Sequence, residues 1–496
     1  MVSSGVSMRV WLAAGFVLAA GFLAVTYSSA FSQYLWDEDD FVYVSMAVQA
    51  DSPAYIFQRE SHVQEFPRPF THLYLWLIAL ISGTLIWPYI FFNLLLYAAS
   101  SVLLFRIVHR LSGSLPAGLM AGTFYLLSPC ATDSLYWVAG GATGFLSGFL
   151  LLLTVNLYMI SLEKGGIRYR VLALLAALLA MGAKESAFSL PLLLTIVDVT
   201  GNGERKGWLK RLLPFYILGL VFAVNILLVQ LSYQDDANLT RYGLSWMIPR
   251  NLLHYYIYPL VGAMPPDVGE YTLLKMLVYP VIWIMPVFFG SSRSRKLLLQ
   301  GFLWTGVSSL PFLPWVMNFQ GFVPRVCDIP SRYFNIPSMG AAMIAGGLVL
   351  MLRDRFRKKA ASLAMAVLII LTAFAGITWT RENVRAMEFS SDTASCLAQL
   401  LRSSHDGTGA LYVCYFGFYE TRIESYNRMY FDGQLLQVDS FPEYAAEGAK
   451  LLCGPKTGPS LWTFQGGEWR LERRFPSCVD PERAQEFSTG NGAGGG

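Results

Sequence analysis

The stretch Tyr34–Ala47, YLWDEDDFVYVSMA, decides how the chain is arranged, because four consecutive carboxylates stand just beyond the first long apolar run. A carboxylate in the hydrocarbon core of a membrane costs about 2.5–3.5 kcal/mol or more. Residues 37–40, DEDD, therefore mark a membrane boundary. Such crowding of like charge favours the protonated form of at least one of them, which suits a general base. The alternative is a solvated acidic loop that only marks the topology.

The overall composition also indicates a membrane protein. Of the 496 residues, 54% are hydrophobic and only 14% are charged, and the mean hydropathy is +0.44. These values exclude an ordinary soluble globular protein. The abundant Trp and Tyr suit either interfacial aromatic belts or sugar-stacking surfaces. No nucleic-acid partner is expected.

Apolar runs along the chain predict an all-α polytopic membrane protein with about eleven transmembrane helices. Two shorter runs, Phe70–Ser82 and Leu252–Met264, are better suited to interfacial helices in the outer loops. The predicted spans are Met8–Ala30, Thr84–Ile107, Pro116–Ser128, Val138–Ile160, Arg170–Ala183, Ala187–Val199, Leu212–Ser232, Thr272–Gly290, Leu297–Met317, Phe334–Leu352 and Ala360–Thr380.

The basic residues predict the orientation of these helices in the cell membrane, inner or plasma. Lys and Arg concentrate in alternate short loops, as at Lys164–Arg170, Arg205–Arg211 and Arg353–Lys359. Cytoplasmic loops carry such an excess. The N-terminus is therefore predicted to be cytoplasmic, and the acidic loop at 37–40 lies outside.

The sequence divides into a transmembrane domain, 1–380, a small C-terminal domain, 381–488, and a disordered tail, 489–496. By helix parity the C-terminal domain is extracytoplasmic, where four cysteines could form two disulfides: Cys396, Cys414, Cys453 and Cys478. Alternating runs at Ala410–Phe416, Leu435–Val438 and Trp469–Leu471 predict an α+β or β-rich unit.

Polar residues from distant loops converge on the predicted outer face, which is the pattern of a site. Each also has a structural alternative. For Asp133 the alternative is a carboxylate that only stabilises a helix N-terminus. For Lys184 and Glu185 it is a buried ion pair at a turn. For Arg68 and Arg332 it is a snorkelling anchor. The full set is Asp39, Asp40, Arg68, Asp133, Lys184, Glu185, Arg332 and Tyr333.

Taken in order, these motifs resemble the C-type integral-membrane glycosyltransferases, and most closely the prokaryotic relatives of the protein O-mannosyltransferases and of the tetratricopeptide-bearing transmembrane mannosyltransferases. The resemblance covers about Met8–Thr380. The motifs are DDxxYxxxA (Asp39, Asp40, Tyr43, Ala47), RP (Arg68, Pro69), SPxxxDxxxW (Ser128, Pro129, Asp133, Trp137), KE before xxLP (Lys184, Glu185, Leu190, Pro191) with Asp198, and RYF (Arg332–Phe334).

The resemblance implies a hexosyltransferase that inverts the sugar as it moves it from polyprenyl phosphate to an acceptor hydroxyl of a protein, glycan or lipid. Asp39 would be the base and Asp40 would orient it. The donor phosphate would be held by Arg332, Arg68, Lys184 and Tyr333, and the acceptor would be positioned by Asp133, Glu185 and Trp137.

Two other functions are weighed from the residues. A transporter or flippase for lipid-linked sugars would place its polar groups near mid-bilayer on broken helices, not at one face. An O-antigen polymerase or ligase would depend on a large outer loop late in the chain. A divalent metal on Asp39 and Asp40 is conceivable but not favoured, because no third ligand is evident.

Overall fold

The computed structural model describes residues 8–32, 38–57, 68–200, 207–232, 247–261, 286–313, 325–326, 329–355, 412–414, 460–465 and 468–474. The described part of 1–355 is mainly helical. Its α-helices are α1 (Met8–Thr26), α2 (Glu38–Gln49), α3 (Pro69–Ser82), α4 (Ile86–Ser112), α5 (Leu115–Leu126), α6 (Thr132–Tyr136), α7 (Val138–Lys164), α8 (Ile167–Met181), α9 (Leu190–Thr200), α10 (Trp208–Ser232), α11 (Met247–Val261), α12 (Ser292–Ser309) and α13 (Asn335–Arg355).

Short 3₁₀ turns connect several of these helices. They lie at Ser28–Ser32, Pro53–Phe57, Pro129–Ala131, Glu185–Ser189, Leu310–Phe312 and Ser331–Phe334. Three of them carry or adjoin residues of the predicted site, namely those beginning at Pro129, Glu185 and Ser331.

Four described helices are long and apolar enough to cross a membrane: α4, α7, the first part of α10 and α13. These coincide with four of the predicted spans, although α4 and α7 run several residues further than expected. Each continues through polar and basic residues and ends at a glycine in the left-handed region, Gly113 or Gly165. A glycine at this position closes a helix without Cβ strain. The total of eleven spans stays a prediction, since residues 262–285 and 356–411 lie outside the described part.

The bundle is built around α4, α7 and α13, with α5 and α12 packed against them. Small residues let the helix backbones approach closely. A Cβ added at Gly301 of α12 would lie 2.7 Å from the carbonyl oxygen of Gly340 on α13. This crossing brings the start of α13, and the Ser331–Phe334 turn before it, next to the body of the bundle.

A buried ion pair ties α9 to α10 at the end of α9 remote from the predicted site. The Arg211 guanidinium donates to both Asp198 oxygens, at 2.7 and 3.1 Å, and the Tyr158 hydroxyl donates to Asp198 at 2.6 Å. The Asp198 side chain has no exposed surface. A buried carboxylate needs such charged and hydrogen-bonded partners, so this cluster fixes how α7, α9 and α10 pack.

Five short strands are also described. β1 (Arg325–Val326) pairs with β2 (Ile329–Pro330), and β3 (Tyr412–Cys414), β4 (Ser460–Gln465) and β5 (Glu468–Arg474) form an antiparallel sheet in that order. β3 and β5 fall on two of the predicted strand runs, whereas Leu435–Val438 and the residues 396, 453 and 478 lie outside the described part. The domain boundaries and the two disulfides remain predictions.

Candidate active site

Helix α2 begins inside the acidic run and carries its last two aspartates. Asp40 is completely buried, and its Oδ1 accepts a hydrogen bond of 2.7 Å from the backbone N–H of Ala139. Ala139 is the second residue of α7, where the first N–H groups have no acceptor within the helix and the helix dipole favours negative charge. The start of α7 therefore holds the Asp40 carboxylate in one place.

One turn further along α2, Tyr43 connects the acidic run to a cation. The Arg68 guanidinium donates to the Tyr43 hydroxyl at 3.3 Å. The Tyr43 ring stacks on His72 of α3 at 4.7 Å between centroids, with only 3° between the ring planes. Both rings are buried, so α2 and α3 are fixed in register beside the carboxylate of Asp40.

Arg68, which directly precedes α3, is bound by both carboxylate oxygens of Glu185 along one edge of its guanidinium group. Its Nε donates to Oε2 and its Nη2 to Oε1, each at 3.2 Å, and both side chains are only 12% exposed. Two parallel hydrogen bonds between opposite charges make a strong and directional pair. The structure thus has a buried ion pair at this turn, and it joins Glu185 to Arg68, 117 positions earlier in the sequence.

Electrostatics favour the ionised form of Glu185. Burial raises the pKa of this carboxyl, but the positive charges of Arg68 and Lys184 and the hydrogen bonds to the carboxylate outweigh it, so the pKa lies below its usual range. A carboxylate held this way keeps its charge at neutral pH and is a poor proton acceptor.

The turn that carries Lys184 and Glu185 is docked on the start of α3. The Phe70 N–H donates to the Gly182 carbonyl at 3.2 Å, and the Thr71 hydroxyl donates to the Ala183 carbonyl at 2.8 Å. Lys184 is 5% exposed. These backbone contacts, rather than flexible side chains alone, hold the cation in place.

Lys184 in turn meets the Arg332–Tyr333 segment. Its ammonium lies 5.3 Å from the centroid of the Tyr333 ring, within the range of a cation–π interaction. The Tyr333 ring also packs against Phe312, with 4.6 Å between the ring centroids. An unbroken series of contacts thus runs from α2 through Tyr43, Arg68 and the Lys184–Glu185 turn to Tyr333.

The Ser331–Phe334 turn also packs against α6 and the Pro129–Ala131 turn before it. These segments carry the backbones of Arg332 and Asp133. Their side chains, and that of Asp39, lie outside the described part of the chain, so their contacts stay predictions. Trp137, directly before α7, is buried, and a Cβ added at Gly140 would overlap its ring; the Trp137 ring therefore lies against the first turn of α7.

The sequence analysis missed two residues next to this network. Asn93 of α4 and Tyr74 of α3 are hydrogen-bonded to each other at 3.0 Å, and Asn93 reaches the first residue of α7. The sequence contains a signal for Asn93, which is a polar residue inside the apolar run IFFNLLL. Polar side chains in spanning helices are costly and usually have a partner or a function. Within the described residues, no three His, Cys, Asp or Glu side chains are grouped as a metal site would need.

The bundle has the fold of the C-type integral-membrane glycosyltransferases. ArnT from Cupriavidus metallidurans, in a crystal structure bound to undecaprenyl phosphate, matches it with a TM-score of 0.50 and 13% sequence identity, over 90% of this chain and 88% of that one. AglB, the oligosaccharyltransferase of Archaeoglobus fulgidus, in complex with an inhibitory peptide and a dolichol-phosphate, has a TM-score of 0.47 and 12% identity, over 88% of this chain and 61% of that one.

Arabinosyltransferase EmbB from Mycobacterium smegmatis is more distant, with a TM-score of 0.33 and 15% identity, over 86% of this chain and 44% of that one. Identities this low establish the fold alone, and the comparison with ArnT carries that conclusion. No family model matches the sequence, and no curated protein matches it.

Proposed function

We propose that this protein is an inverting glycosyltransferase that moves a hexose from a polyprenyl-phosphate donor to a hydroxyl of a protein, glycan or lipid at the outer face of the cell membrane. The observation that carries the proposal is the buried network around α2. Through Tyr43, the helix that carries the acidic pair contacts Arg68, which is paired with Glu185 of the Lys184–Glu185 turn. Lys184 in turn lies over the Tyr333 ring, so that four separate parts of the chain meet. The shared fold with ArnT, whose structure holds undecaprenyl phosphate, supports a lipid-linked donor.

The proposed reaction is a single displacement. The acceptor oxygen attacks the anomeric carbon, its proton passes to the Asp39 carboxylate, and the bond from that carbon to the phosphate oxygen breaks. The electron pair of that bond stays on the phosphate. A phosphate leaves as a stabilised anion and needs no general acid, so one base and nearby cations suffice. Attack on the face opposite the phosphate inverts the anomeric centre.

The two aspartates have different tasks in this proposal. Oδ1 of Asp40 is occupied by the Ala139 N–H, which suits a residue that orients the acceptor or its neighbour. Asp39 is the preceding residue on the same helix and is assigned the proton transfer. A general base of this kind contributes roughly 10²–10⁴-fold in rate.

The cationic side chains also have different tasks in this proposal. The guanidinium of Arg68 is bound twice by Glu185, so we assign Arg68 mainly to positioning Tyr43 and the Lys184–Glu185 turn. The donor phosphate is then assigned to Lys184, Arg332 and Tyr333, whose ring centroid lies 5.3 Å from the Lys184 ammonium. Charge that develops on the departing phosphate is stabilised by such fixed cations. Asp133 and Trp137 keep the task of positioning the acceptor, whereas Glu185, which was expected to share that task, is now assigned to holding Arg68.

The test uses a deletion strain of the source organism and mass spectrometry of its lipids and glycans. We expect the deletion to lose one sugar modification and to accumulate one polyprenyl-phosphate sugar, and the wild-type gene to reverse both. Asp39→Asn should reverse neither, although it is expressed at the same level in the membrane. Complementation by both Asp39→Asn and Asp37→Asn would favour a transporter and contradict the proposal.

The accumulated lipid also supplies the donor for a direct assay. Purified wild-type protein in nanodiscs, given that lipid and the acceptor fraction of the deletion strain, should release polyprenyl phosphate and form a product of opposite anomeric configuration. Release without any transfer to the acceptor fraction, or retention of configuration, would overturn the mechanism.

A further inference from the structure

One peptide group at the start of α7 is hydrogen-bonded on both sides. Its N–H, from Ala139, donates to Oδ1 of Asp40 at 2.7 Å. Its carbonyl, from Val138, accepts from Nδ2 of Asn93 at 3.2 Å. Asp40 and Asn93 have no exposed surface. The Val138–Ala139 peptide therefore links the acidic helix α2 to the middle of the bundle.

The orientation of Asn93 is itself fixed. The Tyr74 hydroxyl donates to Oδ1 of Asn93 at 3.0 Å, so the amide must turn its NH₂ group toward Val138. Gly141 makes room for this arrangement, because a Cβ at that position would overlap the Asn93 amide. A fully buried amide in an apolar helix is costly unless its polar atoms are paired, and here both of its polar atoms have partners.

We infer that Asn93 and Tyr74 are positioning residues for the Asp40 carboxylate. The peptide group is planar and rigid, so its carbonyl and N–H cannot tilt independently. Asn93 holds the carbonyl and thereby fixes the direction of the N–H that holds Asp40. Donation to the carbonyl also polarises the same peptide and strengthens its N–H as a donor. The catalytic consequence rests on the proposed function, whereas the geometric one does not.

The chain contains a matched control further along α7. Tyr125 donates to Oδ1 of Asn335 at 2.6 Å, and Nδ2 of Asn335 donates to the Gly144 carbonyl at 3.1 Å. This is the same Tyr–Asn–carbonyl pattern. The Gly144 carbonyl lies inside α7, however, where the N–H of the same peptide group already has a carbonyl acceptor one turn earlier in the helix. Tyr125→Phe therefore removes the same kind of hydroxyl as Tyr74→Phe without a path to Asp40.

The first measurement is hydrogen exchange of the Ala139 amide, resolved to single residues by fragmentation. We expect Asn93→Leu, which keeps the size of the side chain, to speed exchange at Ala139 about fivefold or more, as loss of roughly one hydrogen bond implies. Tyr74→Phe should have a smaller effect in the same direction, and Tyr125→Phe none. Unchanged exchange at Ala139 in Asn93→Leu would overturn the inference.

The second measurement separates positioning from general stability. In the transfer assay, Asn93→Leu should lower kcat about tenfold and leave KM for the donor lipid within twofold, since the misplaced group acts on the reacting centre and not on donor binding. Tyr125→Phe should keep both values. Equal kinetic losses in the two variants would overturn the catalytic part of the inference. If exchange at Ala139 responds as expected but the wild type transfers no sugar, the proposed function fails and the positioning stands.

Discussion

Arg68 and Glu185 stand 117 positions apart in the sequence, yet Nη2 of Arg68 lies 3.0 Å from Oε2 of Glu185 in the folded chain. The pair joins the start of α3 to the turn between α8 and α9. Because Arg68 also donates to Tyr43 of α2, one guanidinium holds three segments of the candidate site together.

Substitution of one member of this pair should lower the free energy of unfolding more than substitution of both members. Arg68→Met leaves a buried carboxylate without its main cation, which costs about 3–5 kcal/mol of unfolding free energy. Arg68→Met combined with Glu185→Leu should recover much of that loss. Thermal melting in one detergent, followed for both single variants and the double variant, measures the coupling. Simple additivity of the melting shifts would show that the contact contributes little.

The same pair predicts a pH dependence of stability. The folded pKa of Glu185 lies below the ordinary value of 4.5, so the unfolded chain binds this proton more readily. The stabilisation is therefore present above pH 4.5 and is lost as the pH falls through the folded pKa. Melting curves at neutral and acid pH should show a larger fall for the wild type than for Glu185→Gln. Parallel curves would contradict the assignment.

The sequence was sufficient for the membrane class and for the segments that meet at the site. Long apolar runs such as Val138–Ile160 are decided by hydropathy, which acts locally. The partner of Glu185 was not predictable in this way, because it depends on how α3 docks on the Gly182–Lys184 turn. The roles of Asn93 and of Asp198 were missed for the same reason. A polar residue in an apolar helix indicates that its side chain has a hydrogen-bonding partner, but the sequence does not identify that partner.

Membrane topology can be tested independently of activity. The acidic loop, Asp133, Arg332 and everything beyond Arg381 should face the outside of the cell, as the distribution of basic loops predicts. A single cysteine introduced at Glu38 should react with an impermeant maleimide in intact cells, and one at Arg168 only after lysis. Labelling with the opposite pattern would move the candidate site to the cytoplasmic face and remove the basis of the proposed reaction.

The Asp198 cluster should matter for stability and not for donor binding. Arg211→Met leaves the buried Asp198 carboxylate without its cation, which costs about 3–5 kcal/mol of unfolding free energy. Tyr158→Phe removes one hydrogen bond, at about 1 kcal/mol. The melting temperature should therefore fall more in Arg211→Met than in Tyr158→Phe. The affinity for undecaprenyl phosphate, used as a probe in nanodiscs, should stay within twofold of the wild type, because the cluster lies at the end of α9 away from the Lys184–Glu185 turn.

The assignment of the base rests on the register of the acidic run, and neighbouring aspartates provide the control. Asp39→Asn keeps the shape of the side chain and loses its basicity, so transfer should fall roughly 10²–10⁴-fold while binding of undecaprenyl phosphate is retained. Asp37→Asn, two residues earlier and before the start of α2, should be tolerated. Both variants are compared in the same assay with the lipid donor. If Asp37→Asn were inactive and Asp39→Asn active, the register would be wrong by two residues and the base would be Asp37.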